Sequence, residues 1–150
     1  MISLKNILLP TDLSEPSRHA TKYAIEFARQ FDATLHLLYV IEEPPFYAPL
    51  GGYFPTHEEW EAFADSGLQE WIVEDDAAGL TIIREKVYGH PVPKIVEYAA
   101  DHEIDMIVIG THGRSAIPHL LLGSKAENII RHSPCPVFTV RPKQHEFVMP

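Results

Sequence analysis

Short runs rich in Ile, Val and Leu recur along the chain, at Asn6–Leu9, Leu35–Ile41, Thr81–Val87, Met106–Ile109 and Val137–Val140, each bounded by Gly, Pro or Asp. Their length and composition predict strands. Three of these runs are almost wholly apolar, the pattern of strands buried on both faces of a parallel sheet. Between the runs the period becomes helical. In "SEPSRHATKYAIEFARQF", Ser14 suits an N-cap, Pro16 suits a first turn, and Ala20, Tyr23, Ala24, Phe27, Ala28 and Phe31 form one stripe. "THEE" at Thr56 reads as a capping box with Glu59, followed by Trp60, Phe63, Ala64, Leu68, Trp71 and Ile72 at helical spacing, with Gly67 against a helix in the middle. A third helix is predicted from Pro91 to His102 with Ile95, Tyr98 and Ala99 inward. A fourth runs from Ser124 to His132 with Ala126, Ile129 and Ile130 inward.

Strands alternating with helices of this length imply right-handed crossovers and a doubly wound α/β domain, with helices on both faces of a mostly parallel sheet. Ligands of such sheets bind beyond the carboxyl ends of the strands, where the winding reverses. The residues after the first and fourth strands are therefore the candidates. The stretch "EEPPFYAPLGGYFP", residues 42–55, has no usable period and is expected to be an irregular loop. Its aromatics can cover a ligand, contact a partner or pack on the sheet. No internal repeat is visible, and the tail after Arg141 is too short for another element.

At 150 residues and 45% apolar content the chain suits one domain with a single core. Its 12 basic and 21 acidic residues give a formal charge of −9, which repels a polyanionic backbone and argues against nucleic acid as the principal partner. The single cysteine, Cys135, sits in "SPCPV" and cannot make an internal disulfide, which suggests a reducing setting. "MISLKNILLPTD" lacks the apolar core and cleavage site of a signal peptide, and no apolar run is long enough to span a membrane. A soluble, cytoplasmic protein is expected.

The candidate chemistry centres on "IGTHGRSAIPHLLLGSKAENI", where Gly110-x2-Gly113-x9-Gly123-Ser124 directly follows an apolar strand and ends at a helix. Gly110 and Gly113 would allow positive φ and close approach to a ligand, and the helix start at Gly123 and Ser124 offers backbone N–H groups to an anion. The same residues admit a structural reading, because Ser124-Lys125-Ala126-Glu127 is also a capping box and strand-to-helix loops often need glycine. A Walker A loop is excluded by order and spacing, since the position five before Gly123 is Pro118. The dinucleotide fingerprint is excluded because the first strand leads into "PTDLSEPS", without glycine. Asp12 ends the first strand, where its carboxylate can accept hydrogen bonds from a ribose or base, hold a metal through water, or only order the turn. Arg18, Arg114 and Lys125 can neutralise phosphate or simply solvate the surface. His112 lies between the first two glycines, placed to flank a ligand or to stay an exposed loop residue. None of the nine histidines pairs at zinc-site spacing, and Ser115 and Ser124 lack a nucleophile-elbow setting.

Taken together, "NILLPTDLSEPS", "LLYVIE", "DMIVIGTHGRSAI", "LLGSKAENIIRHSPCPV" and "FTVRP" resemble the universal stress protein family across nearly the whole chain and in the family's order. The resemblance implies a five-stranded parallel sheet in the order 3-2-1-4-5. It also implies a homodimer that pairs its last strands, here Val137–Val140, in keeping with the need to cover an exposed sheet edge. Members that bind ATP carry the Gly-x2-Gly-x9-Gly spacing followed by Ser or Thr, which this chain matches. The resemblance then puts Gly110, Gly113, Gly123 and Ser124 around the ribose and phosphates, and Asp12 near the nucleoside. The Val40 backbone would meet the adenine edge, with Thr11 and Ile109 lining the cleft. ATP, with or without Mg2+, is the implied cofactor, and a further protein partner is implied without being identified. Slow hydrolysis occurs in the family, but no residue here has a clear base role. The chain departs from the family at Lys125, usually a small apolar residue such as Val, which here either adds a phosphate contact or points to solvent. It departs again in the loop 42–55, whose length varies among members.

Overall fold

The computed structural model describes residues 1–42, 52, 54–112 and 122–141. Most of the loop 42–55, together with Gly113, Arg114, Ser115 and the tail beyond Arg141, lies outside the described residues. The strands are β1 (Asn6–Thr11), β2 (Thr34–Ile41), β3 (Ile82–Tyr88), β4 (Met106–Gly110) and β5 (Val137–Val140). They form one sheet in the order β3-β2-β1-β4-β5, every pair parallel, which is the expected doubly wound order. The helices are α1 (Arg18–Phe31), entered through a 3₁₀ turn at Glu15–Ser17, then α2 (His57–Trp71), the short α3 (Glu74–Ala77), α4 (Pro91–Asp101) and α5 (Ser124–His132).

The central strands are buried on both faces, as their continuous apolar runs require. On one face Ile7, Leu9, Leu35 and Leu37 pack with Ala20, Ala24 and Ala28 of α1 and with Ala64, Leu68 and Trp71 of α2. On the other, Leu8, Leu38, Ile107 and Ile109 pack with Ile95, Tyr98 and Ala99 of α4 and with Ala126 and Ile129 of α5. The period-2 alternation along β1 thus feeds two cores, Ile7 and Leu9 into one and Leu8 into the other.

Three helix faces differ from the sequence expectation. In α1 the buried stripe is Ala20, Thr21, Ala24, Ile25 and Ala28, while Tyr23 and Phe31 are exposed. The small side chains bring α1 close to the sheet, and the aromatic flank turns toward the edge, where Tyr23 and Phe27 meet Phe138 of β5 at ring distances of 5.8 and 5.0 Å. In α5, Ile130 is exposed and only Ala126 and Ile129 face the core. In α2, Phe63 is exposed, although the Thr56–Glu59 capping box forms with both its bonds. Trp71 ties α2 to α1, its indole N–H donating to Thr21 Oγ1 at 3.0 Å beneath the Arg18 guanidinium.

Gly67, inside α2, has a packing reason. A Cβ there would lie 2.5 Å from Cδ1 of Leu13, which occupies the space a side chain would fill. Leu13 itself takes a left-handed φ of 59°, a conformation that an L side chain rarely adopts. That turn sends Leu13 onto α2 directly after Asp12, at the carboxyl end of β1.

At the opposite, amino-terminal end of the sheet, His36 of β2 is buried with its Nδ1 2.9 Å from the Tyr98 hydroxyl and its Nε2 3.4 Å from Asn6 Oδ1. Tyr98 stacks on His102 at 3.8 Å. Burial, and then the charge of His102, holds His36 below its ordinary value. Burial, and then Glu85, pushes the Tyr98 phenol up to about 12. A histidine held neutral in the fold binds a proton more readily once unfolded, so folding loses stability as pH falls below about 6.5 and levels off below the folded-state value. The urea midpoint should therefore drop between about pH 7.5 and 5.5. His36→Gln, which keeps a hydrogen-bonding side chain but does not titrate, should flatten that drop. An equal drop in both proteins would show that other groups cause it.

Candidate functional site

The sheet opens where its winding reverses. β1 stays paired with β2 up to Thr11↔Tyr39, and β4 with β5 up to Gly110↔Val140, but the pairing of β1 with β4 covers only Ile7↔Met106 and Leu8↔Ile107. Beyond Leu8 the two central strands part, and a cleft of about 410 Å³ lies over their carboxyl ends. That size suits a small-molecule site.

Its lining combines apolar side chains, Leu38, Val40, Ile95, Ile109 and Ile129, with polar ones, Thr11, Asp12, Ser17, Thr111 and Ser124. Thr34 N–H donates to the carbonyl of Lys5, just before β1, while Leu35 N–H donates to that of Thr81, just before β3, so even-numbered residues of β2 direct their backbone groups toward β1. The Val40 carbonyl therefore faces β1 past the end of their pairing. The amide that would continue the ladder, Leu13 N–H, donates instead to Thr11 Oγ1 at 3.0 Å. An acceptor is thus directed from the strand end into an apolar slot.

In this lining, Asp12 Oδ1 accepts from the Ser14 amide at 2.9 Å and also from the Ser14 hydroxyl. Ser14 serves this turn and makes no side-chain cap for the 3₁₀ turn that it precedes. The Thr11 and Ser17 hydroxyls lie 3.1 Å apart, both buried. Across the cleft, the His112 ring is held by Thr111 Oγ1, 2.8 Å from its Nδ1.

The start of α5 corrects the capping-box expectation. Gly123 is the N-cap, with φ −67° and ψ 152°, and Ser124 is the first helical residue. The first intrahelical bond runs from Glu127 N–H to Gly123 O at 3.0 Å. The amides of Ser124, Lys125 and Ala126 have no acceptor among the described residues, and all three residues line the cleft. Gly123 is needed for space, not for an unusual φ. Its N–H donates to Thr111 O at 2.7 Å, and a Cβ would sit 2.8 Å from that oxygen. Gly110 departs from its positive-φ expectation, and a Cβ there would make only ordinary contacts, 3.4 Å from His112 O and 3.5 Å from Pro16 O.

The cleft thus gathers Thr11, Asp12, Val40, Ile109, Gly110, His112, Gly123, Ser124 and Lys125 of the candidate residues. Gly113 and Arg114 lie outside the described residues. Arg18 points away, toward Trp71 and Glu15. Lys125 follows neither expectation fully, since its Nζ pairs with Glu42 Oε2 at 3.1 Å. Sequence reasoning missed Ser17, Thr111, Glu42 and Trp60 as lining residues. Thr111 and Glu42 had a usable signal, each being the first residue past a strand that ends at the cleft. Trp60 was assigned to the core by its helical period, and Ser17 carried no signal.

A doubly wound parallel sheet with a cleft at its switch point, and a helix start whose amides have no acceptor among the described residues, is the architecture of the α/β domains whose ligands bind at that point. Residues 3–141 match the model of the universal stress protein family, and the chain belongs to that family. A universal stress protein of Methanocaldococcus jannaschii is 34% identical over 149 residues, covering 95% of this chain and 85% of the relative. Among solved structures, a universal stress protein of Lactobacillus plantarum superposes with a TM-score of 0.79 at 28% identity, covering 94% of this chain and all of that one. A universal stress protein in complex with cAMP superposes at 0.68, again with 28% identity, covering 93% and 98% of the two chains.

Proposed function

We propose that this protein is an ATP-binding, cytoplasmic regulatory homodimer of the universal stress protein family, in which the nucleotide orders the cleft and tunes association with a further protein. The observation that carries the reading is the uncapped start of α5, whose orphan amides line the cleft at the sheet's switch point. On this reading the phosphates meet the Ser124–Ala126 amides and the Gly110–Arg114 stretch. The ribose lies against Asp12 and Thr11, and the adenine enters the apolar slot with an exocyclic N–H donated to the Val40 carbonyl. The relative solved with cAMP, similar along nearly its whole length, supports an adenine nucleotide as the ligand. Mg2+ would enter as the counter-ion of the polyphosphate; Asp12 lines the cleft, and a single carboxylate with waters is a usual magnesium environment.

The edges of the sheet support dimerisation through Val137–Val140. The β3 edge carries Arg84, Glu85 and Lys86; Arg84 bonds to the Leu68 and Ile72 carbonyls, and Lys86 pairs with Glu61 and Asp65 of α2. Such charges protect an edge from pairing. The β5 edge, "VFTV", carries none, and Phe138 with Tyr23 leaves aromatic surface exposed beside it. The acidic net charge disfavours nucleic acid as partner, and among the described residues no helix is long and apolar enough to cross a membrane.

Titration calorimetry with ATP and magnesium tests the reading. One site per chain is expected, with AMP binding to the same site. An interaction module that uses the fold without nucleotide would show no heat with either, and Gly123→Ala would leave its partner binding unchanged.

A further inference from the structure

We propose that Glu42 and Lys125 form a charge latch across the mouth of the cleft, and that the terminal phosphates of a nucleotide open it by displacing the Glu42 carboxylate from the Lys125 ammonium. The inference rests on the nucleotide reading and adds to it a determinant of how many phosphates the site prefers. The two residues come from opposite walls: Glu42 directly follows β2, and Lys125 is the second residue of α5. Their side chains meet at 3.1 Å, 83 positions apart in sequence, and both line the cleft. Each is about half exposed, at 51% and 56%, so neither is held there by packing.

The charges of the lining give the latch its consequence. Asp12 and Glu42 are acidic and Lys125 is basic, so the described lining carries more negative than positive charge. An anion that approaches Lys125 meets the Glu42 carboxylate unless Glu42 gives way. Half-exposed ion pairs are weak, whereas a phosphate beside Lys125 would gain charge-assisted bonds from the ammonium and from the adjacent orphan amides together. A ligand that carries two or three phosphates therefore exchanges the Lys125 partner, and a nucleoside without phosphate leaves the latch closed. Glu42 acts as an internal competitor for the cation, and Lys125 as the residue that reads phosphate number.

The test is calorimetric titration of adenosine, AMP and ATP with magnesium into the wild type, Glu42→Gln and Lys125→Ala, read as the ratio of ATP to adenosine affinity. Glu42→Gln should raise that ratio about threefold to fivefold, and Lys125→Ala should lower it about tenfold. The gain in Glu42→Gln should shrink in high salt, where screening already weakens the pair. A wild type that binds the ligands, with a ratio unmoved by both variants or lowered by Glu42→Gln, overturns the latch and leaves the nucleotide reading intact. A wild type that binds none of them overturns the nucleotide reading itself, and the latch with it.

Discussion

Gly123→Ala should cost about tenfold or more in ATP affinity while the protein stays folded. The backbone at Gly123 has φ −67° and ψ 152°, which alanine adopts freely, so no conformational strain is involved. The obstacle is the Thr111 carbonyl, 2.8 Å from the new Cβ and itself the acceptor of the Gly123 amide. Thr111 is anchored on its other side, its N–H donating to Val140 O of β5 at 2.9 Å. The helix start must therefore move, and with it the amides of Ser124, Lys125 and Ala126 that the phosphates would meet. Displacing a packed contact of this kind costs about 1–3 kcal/mol of stability as well. Gly79→Ala is the control. Gly79 has φ +77° and open space around it, so alanine strains the backbone there, between α3 and β3, without touching the cleft. Thermal unfolding should fall in both variants and calorimetric ATP affinity only in Gly123→Ala; unchanged affinity in Gly123→Ala would remove the helix start from the phosphate site.

If two copies pair through β5 as proposed, Phe138→Asp should split that homodimer, raising its dissociation constant by roughly thirtyfold or more. Phe138 is 37% exposed at the open edge of the sheet, flanked by the Tyr23 and Phe27 rings. A carboxylate there would be buried without a partner if the β5 edges of two copies paired, and one charge on each copy would face its symmetry mate. Phe138→Leu keeps the apolar contact and should stay dimeric. Sedimentation velocity at several concentrations distinguishes the two, with circular dichroism confirming that each is folded. A wild type that sediments as a monomer at all concentrations would exclude this interface.

Much of the fold was legible in the sequence because a doubly wound sheet writes its strands as continuous apolar runs. The strand at Met106–Ile109 could be placed to within a residue, and Val137–Val140 was placed as it stands. The capping box at Thr56 was readable because both its bonds are local. What the sequence hid depends on contacts between distant segments. The rotation of the α1 stripe away from Tyr23 follows from where β5 brings Phe138. The place of Gly67 in α2 follows from Leu13, far away in sequence. Two glycines of the spacing, Gly110 and Gly123, line the cleft, but Gly110 does so without positive φ, Gly123 also makes room for a carbonyl, and Ser124 is the first helical residue instead of the cap. The pairing of Lys125 was unreadable because its partner, Glu42, lies 83 positions away, and a position just past a strand end does not say which distant charge it meets.

The central claim is that the cleft between β1 and β4 holds an adenine nucleotide. Native mass spectrometry of the freshly purified protein, followed by identification of the small molecules released on unfolding, tests it most directly. The account predicts one adenine nucleotide per chain, retained on purification or taken up when ATP and magnesium are added, and held more weakly in Gly123→Ala. A wild-type protein that carries no nucleotide and takes up none from ATP would contradict it.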